Sequence, residues 1–384
     1  MKLIINRNLL IKAVGLIIEA VDSRHRLPIL GNLKLVLEPD RLTLTASDLE
    51  VQLTSCIALP QGVCLEAGAV TLPAEKFFSI CKLLPEDDVC IEVPEGQKRC
   101  HISGGKGQYT LSILPASDYP SIGEPHSQTA ISVELSAFLD LLKHTRFAMA
   151  TQDVRHYLTG LLLEVSEQTL TAVATDGHRL AVAYRSLADS YADTKVIIPN
   201  KAVSGLERLL LELSKSAQKD SPEEMVGLGL DEEFLHVTLQ FGTDMVISLT
   251  ARLIEGKFPD YRRVLPVGHD KIAHFDKEEM VSVLRRISVL NTKESPGVLL
   301  GFDNANTATV SSNNREQDEA VETLGVTYEG EPIEVSFNEA YLRAVLNVLE
   351  GQIRLEMVHP NSPTLIYQVG DEGNHQYVVM PMRV

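Results

Sequence analysis

Leu170-Thr-Ala-Val-Ala-Thr-Asp176 alternates apolar with small or polar residues and runs into Gly177. A period near two marks a half-buried strand, and Asp-Gly is a favoured hairpin turn. The pattern occurs twice more, at Leu42-Thr-Leu-Thr-Ala-Ser-Asp48 and at Thr307-Ala-Thr-Val-Ser-Ser-Asn-Asn314. Upstream of each copy, a short apolar strand leads into a helical pattern. These are Leu3–Ile5 before Leu9, Leu10, Ala13, Val14 and Ile17; Ile131–Val133 before Phe138, Leu141 and Leu142; and Ala273–Phe275 before Met280, Val283, Leu284 and Ile287. Asp276 is placed to cap the third of these helices, and Ser136 lies near the start of the second. Downstream of each copy a second helix is expected, from Pro73 to Leu84, Pro199 to Leu213 and Phe337 to Leu349. Proline suits the first turn of a helix, where its missing N–H costs nothing.

The three landmarks move together. From the first copy to the second they shift by 128 (Ile5 to Val133), 128 (Asp48 to Asp176) and 126 positions (Pro73 to Pro199). From the second to the third the shifts are 142 (Val133 to Phe275), 138 (Asp176 to Asn314) and 138 (Pro199 to Phe337). A shared period in independent features is the signature of internal repetition. The fold class is therefore α+β, as three tandem copies of one domain over 1–125, 130–266 and 268–384. Each copy packs two helices on one face of an antiparallel sheet. Linkers fall at Pro120–Pro125 and Pro266–Asp270, and Leu211–Met225 is long and polar enough for an exposed loop.

Composition excludes several classes. No apolar run among the 384 residues approaches the roughly 18 needed for a membrane span. The N-terminus is interrupted by Asn6, Arg7, Asn8 and Lys12 and lacks the build of a signal peptide, so a cytoplasmic protein is expected. The five cysteines are all in the first hundred residues, with no C-x-x-C pair, which implies reduced thiols rather than a disulfide framework or zinc site. A net charge of −17 opposes phosphate binding if taken as a sum. Its distribution matters more: the six helical segments carry 13 basic and 9 acidic residues, so the remainder carries −21. A mildly basic helical face on an acidic body would tolerate DNA without gripping it, and would need another way to stay on it.

No catalytic motif is present: neither G-x-x-x-x-G-K-[ST], H-E-x-x-H nor G-x-S-x-G occurs. Asp176 and His178 are the best acid–base candidates, but residues two apart in a tight turn rarely address one reacting atom. His156 and His178 have no carboxylate at metal-ligand spacing. No catalytic residue, metal site or cofactor is expected. The last stretch, Tyr377-Val-Val-Met-Pro-Met-Arg-Val384, is unusually apolar for a chain end. Pro381 gives it the character of a sheet edge. It reads either as a strand docked on its own domain or as a groove wall that uses adaptable methionines.

Long strings in the chain resemble the bacterial sliding clamp family, the beta subunit of DNA polymerase III. They are Leu27–Leu33, Gln152–Arg155, Ala174-Thr-Asp-Gly-His-Arg-Leu-Ala-Val182, Gly256–Pro266 and Val378-Val-Met-Pro-Met-Arg383. The resemblance implies a DNA-clamp fold, a ring-shaped head-to-tail homodimer around double-stranded DNA, and a non-enzymatic processivity role. It implies that Arg24 and Gln152 touch DNA, with helix cations such as Lys201 as looser phosphate contacts. It also implies a partner-peptide groove of Leu158, Thr175, Gly177, His178, Arg179, Leu180, Pro259, Arg263, Val264, Asn338, Tyr341, Val378, Val379, Met380, Pro381, Met382 and Arg383. The partners implied are the replicative polymerase alpha subunit, the clamp loader delta subunit, other polymerases and repair proteins. The dimer contact implied sets Tyr109 and Leu111 against Val289 and Leu290, with Lys76 and Lys106 facing Glu316 and Glu319. On that reading the end of the chain both docks and receives partners.

Overall fold

Short polar residues set where the helices begin. Asn6 Oδ1 accepts from the N–H groups of Asn8 (3.0 Å) and Leu9 (3.2 Å), so the strand Lys2–Asn6 turns directly into helix α1, Arg7–Ile17. Asp276 caps its helix as expected, accepting from the Glu279 N–H at 3.0 Å. Each cap satisfies a donor that the first helical turn leaves without an internal partner, which is worth about 1 kcal/mol. The structure is a computed structural model that describes residues 1–85, 88–123, 129–216, 224–292, 294–303 and 306–382. The remaining helices are α2 Ala74–Leu83, α3 Leu135–Thr145, α4 Asn200–Ser216, α5 Lys277–Ile287 and α6 Glu339–Leu346. No helix among the described residues is long and apolar enough to cross a membrane.

Nine strands carry the argument. In chain order they are β1 Arg41–Ser47, β2 Val51–Ala58, β3 Gly107–Ser112, β4 Gly160–Thr175, β5 Arg179–Pro199, β6 Met245–Arg252, β7 Thr307–Asn313, β8 Glu319–Gly325 and β9 His375–Val379. The three alternating stretches of the sequence are β1, the second half of β4, and β7. Each forms an antiparallel hairpin with the strand that follows: β1 with β2, β4 with β5, β7 with β8.

The chain divides into two compact units, residues 1–139 with 201–253, and residues 140–200 with 254–384. The first holds a five-stranded sheet with β3 at its edge and a nine-stranded sheet in which β6 pairs with β2. The second holds a seven-stranded sheet in which β9 pairs with β5, and a four-stranded sheet with β8 at its edge. The cut runs through the middle of the chain because strand pairing binds β6 to the first hairpin and β9 to the second. Phe77 and Phe138 are fully buried in the first unit, and Phe302, Phe337 and Tyr377 in the second. Each such side chain contributes about 1.5–3 kcal/mol through burial.

Two local features position the later argument. Gly160 opens β4 where a Cβ would lie 2.6 Å from the Ile198 carbonyl oxygen, so only glycine allows that strand pair to close. The apolar end of the chain is not a sheet edge: β9 lies between β5 and its other neighbour, Thr364–Gln368. Pro381 stands beyond the strand, where its missing N–H breaks no ladder. The expected loop at Leu211–Met225 is shorter than read, since α4 runs to Ser216 and the next strand starts at Met225; residues 217–223 lie outside the described residues. The five cysteines are unpaired, and burial pushes the Cys81 and Cys100 thiols up to about 12.

Candidate functional site

The turn Asp176–Arg179 joins β4 to β5 and explains why Asp176 is not an acid–base catalyst. Its Oδ1 accepts from the His178 N–H (2.9 Å) and the Arg179 N–H (3.0 Å), and its Oδ2 accepts from Arg179 Nε at 3.0 Å. The carboxylate is fully used in holding the turn. Gly177 takes φ +89°, a conformation that side-chain-bearing residues rarely adopt. Thr175 Oγ1 accepts from the Gly177 N–H at 3.1 Å and donates to the Arg179 carbonyl at 2.7 Å. The Met380 N–H then donates to the His178 carbonyl at 2.8 Å, which draws the residue after β9 alongside the turn.

Beside this turn is a hollow of about 210 Å³, lined by Arg155, Leu158, Thr175, Gly177, Arg179, Leu180, Pro259, Val264, Val378 and Met380. Leu158, Leu180 and Val378 form its floor and are almost fully buried, whereas Val264 is 39% exposed. Its rim is aromatic and cationic. His178 stacks on Tyr341 with centroids 5.6 Å apart, and the Arg179 guanidinium lies 5.0 Å from the Tyr341 ring and 5.4 Å from the Phe147 ring. An apolar floor with a few fixed polar groups at the rim suits a short peptide with an apolar anchor.

Not every expected groove residue lines the hollow. Val379 is fully buried, because strand alternation turns it away from the face that carries Val378. Asn338 caps α6 by accepting from the Ala340 N–H at 3.0 Å. Arg263 is exposed and pairs with Asp260 at 3.0 Å. Met382 donates its N–H to the Ser336 carbonyl at 2.7 Å, and its side chain lines a separate hollow of about 480 Å³ with Pro296, Gly297, Leu299 and Val321. Pro381 is half-buried between the two hollows' methionines, and Arg383 lies outside the described residues. Arg155 was missed. It is held by Asp153 through Nε at 3.0 Å and Nη2 at 2.7 Å, and reaches the Asp176 carbonyl at 3.5 Å. Only its place in Gln152–Arg155, a string quoted for the family resemblance, could have pointed to it.

The chain between Pro259 and Val264, two residues that line the hollow, is anchored by a buried carboxylate. Glu164, on β4, accepts from Tyr261 Oη at 3.3 Å and Arg262 Nη2 at 2.9 Å, and pairs with Lys195 Nζ at 3.0 Å. Burial alone would raise its carboxyl, but the Arg262 and Lys195 hydrogen bonds outweigh burial and hold it below the usual range. A group lowered in the folded state adds stability above its unfolded pKa of about 4.3 and loses it as pH falls through the folded value. Glu164→Gln is therefore expected to lower stability by about 1–2 kcal/mol at pH 7, a modest figure because Arg262 and Lys195 are more than half exposed. Urea unfolding of the two proteins checks it: the gap between their midpoints should be present at pH 7 and shrink below about pH 4.

The expected DNA contacts fare differently. Arg24 and Gln152 are exposed in loops. Lys201 is paired with Asp48. Other helix cations serve the fold. Arg208 pairs with Glu19 at 2.8 Å and donates to the Gly15 and Leu16 carbonyls, Arg7 donates to the Leu84 carbonyl, and Arg286 pairs with Glu322. The helical surplus of positive charge is thus partly neutralised within the fold, and less of it faces outward than the sequence count implied. The expected dimer residues are all at the surface. Lys76, Lys106, Glu316 and Glu319 are exposed, Tyr109 is 41% and Val289 80% exposed, and Leu111 and Leu290 are half-buried.

Comparison with known proteins agrees with this arrangement. Three family descriptions match in succession: the DNA polymerase III beta subunit N-terminal domain over residues 1–123, its central domain over 132–260 and its C-terminal domain over 262–383. A beta sliding clamp from Vibrio cholerae is 39% identical over 385 residues, covering 100% of both chains. The crystal structure of the DNA polymerase III subunit beta from Pseudomonas aeruginosa has a TM-score of 0.90 at 37% identity, again covering 100% of both chains. A second Pseudomonas aeruginosa sliding clamp structure, bound to griselimycin, matches with the same TM-score, identity and coverage. With three domain matches spanning the chain and relatives above one-third identity over full length, the chain belongs to the DNA polymerase III beta subunit family, the three-domain bacterial sliding clamps.

Proposed function

We propose that two copies of this chain close head to tail into a ring that threads duplex DNA and confers processivity on a replicative polymerase. The family is one of processivity factors rather than enzymes. One observation carries the reading. Within the chain, the last strand of a repeat pairs with the second strand of the preceding hairpin: β6 with β2 from Met245–Ile57 to Ala251–Val51, and β9 with β5 from Arg179–Val379 to Ala183–His375. Of the strands this rule concerns, β3 and β8 lack a counterpart among the described residues, and each stands at a sheet edge, as do six other strands. By the same rule β8 of one copy pairs with β3 of another. An uncovered edge is a template for strand addition, and pairing with a second copy removes both. Exposed Lys76 and Lys106 near β3 complement exposed Glu316 and Glu319 at β8, and Val289 with Leu290 supplies an apolar contact for Tyr109 and Leu111.

The repeats on this reading span 1–125, 130–266 and 268–384. Retention is topological, which reconciles a net charge of −17 with a DNA partner. Arg24 and Gln152 touch the backbone lightly, and Lys201 does so only by leaving Asp48. The hollow beside Asp176–Arg179 takes a short apolar-ended segment of the polymerase alpha subunit, the clamp loader delta subunit, or other polymerases and repair proteins, in the cytoplasm. The test is release from DNA: protein loaded on a nicked circle should stay through gel filtration and leave promptly once the circle is cut. Equal release from circle and linear DNA would rule out encirclement.

A further inference from the structure

A larger hollow, of about 910 Å³, adjoins the one beside Asp176–Arg179. Pro259 lines both, and neighbours in sequence divide between them: Leu158 and Val264 face the smaller, Tyr157 and Arg263 the larger. Gly256 takes φ +147°, and the chain there passes at contact distance from the Tyr157 ring, which brings Lys257 and Phe258 into the wall. The charge of this wall departs from that of the chain. Lys195, Lys257, Arg262 and Arg263 stand against Glu164 and Asp260, a surplus of two positive charges on a chain whose sum is −17. Buried Glu164 pairs with Lys195 Nζ at 3.0 Å and with Arg262 Nη2 at 2.9 Å. One carboxylate behind two cations fixes both and neutralises only one. An ammonium has three N–H donors and a guanidinium five, so most of their donors remain unspent, and both side chains are more than half exposed.

We propose that this second hollow binds acidic residues flanking the apolar anchor of a partner peptide, so that the two hollows together read one segment. The inference rests on the groove reading given above and adds a charge requirement to it. Charge complementarity selects the occupant. Lys257 is exposed and has no carboxylate partner among the described residues. Arg263 pairs with Asp260, but its side chain is 85% exposed, and such a surface pair yields readily to a competing anion. Arg262 keeps its guanidinium 4.6 Å from the Tyr261 ring, beside half-buried Tyr157 and Phe258, so an incoming carboxylate meets fixed cations against an apolar wall. Continuity sets the spacing. Because Pro259 borders both hollows, the carboxylates belong within about two or three residues of the anchor, at about 3.3 Å per extended residue. The field of the whole chain would repel such a peptide, so a gain from acidic residues has to arise locally.

The test is fluorescence polarisation of the full-length protein with peptides that share a Leu-Phe anchor and differ beside it. Two aspartates, two serines or two lysines are placed either just before or just after the anchor. In one of the two placements the aspartate peptide should bind about 5–10-fold more tightly than the serine peptide at low salt, and the lysine peptide more weakly than either. The aspartate advantage should be lost at about 0.5 M NaCl, where exposed charges are screened. Lys257→Glu should remove that advantage and leave the affinity for the serine peptide unchanged, which also shows that the variant is folded. Failure of the serine peptide to bind the parent would overturn the groove reading, and this inference with it. If the serine peptide binds but aspartates bring no gain in either placement, the groove stands and the acidic-flank proposal is overturned. A gain that persists in Lys257→Glu overturns it as well.

Discussion

Val289→Asp is expected to convert the dimer to a monomer at micromolar concentration. Val289 lies in the turn after α5 and is 80% exposed in the single chain, which leaves it free to be covered by a second copy. An aspartate there would be buried at the contact without a partner, at a cost of about 3 kcal/mol, or roughly 100-fold in dissociation constant for each contact. A head-to-tail ring has two such contacts, so the penalty applies twice. Sedimentation equilibrium should show the chain mass of 42.3 kDa instead of twice that value. Retention on circular DNA should vanish together with the dimer. Val154→Asp is the control, because Val154 is 92% exposed but is not among the residues placed at the dimer contact. A Val289→Asp protein that stays dimeric would mean that the two sheet edges do not meet.

The second large effect is expected at the chain end. A variant ending at Val379 keeps all of β9 and its pairing with β5 but loses Met380 and the tail beyond it. The hollow beside Asp176–Arg179 then lacks one apolar wall. Two backbone hydrogen bonds also go, Met380 N–H to His178 and Met382 N–H to Ser336. Anchor pockets concentrate binding energy in a few contacts, so affinity for a fluorescent peptide ending in Leu-Phe should fall about 100-fold. Met380→Ala alone, which keeps the backbone, should cost about 10-fold. Fluorescence polarisation measures both, with dimer mass as the control. If the shortened protein loses its dimer as well, the tail is a structural element of the ring and not a wall of the groove.

Much of this protein is legible in its sequence because the signals are local or repeated. Asp276 as a helix cap, the three strand–turn stretches and the six helices follow from spacing and short-range hydrogen bonding, which neighbouring residues decide. Repetition then multiplies a weak signal by three. The groove was legible only in part. Leu158, Leu180, Val378 and Met380 do converge on one hollow, but Val379 and Met382 do not. Strand alternation and one backbone bond to Ser336 turn those two elsewhere, and both depend on which strand lies beside β9. Pro381 suggested an edge because proline breaks ladders, yet β9 ends before it and sits inside a sheet.

By itself the sequence determined the threefold α+β repeat, the absence of a recognisable catalytic motif and the family strings, since these rest on residue type and spacing along the chain. Tertiary structure alone decided which strands pair across repeats, and hence that β3 and β8 remain as edges. It alone showed that Lys201, Arg208 and Arg286 are held by carboxylates of the fold, which a count of charges cannot register. And it alone brought His144 and His375, 231 positions apart, into a stack over Asp140. Contacts across such separations are set by how sheets and helices pack, and no local pattern in the chain encodes them.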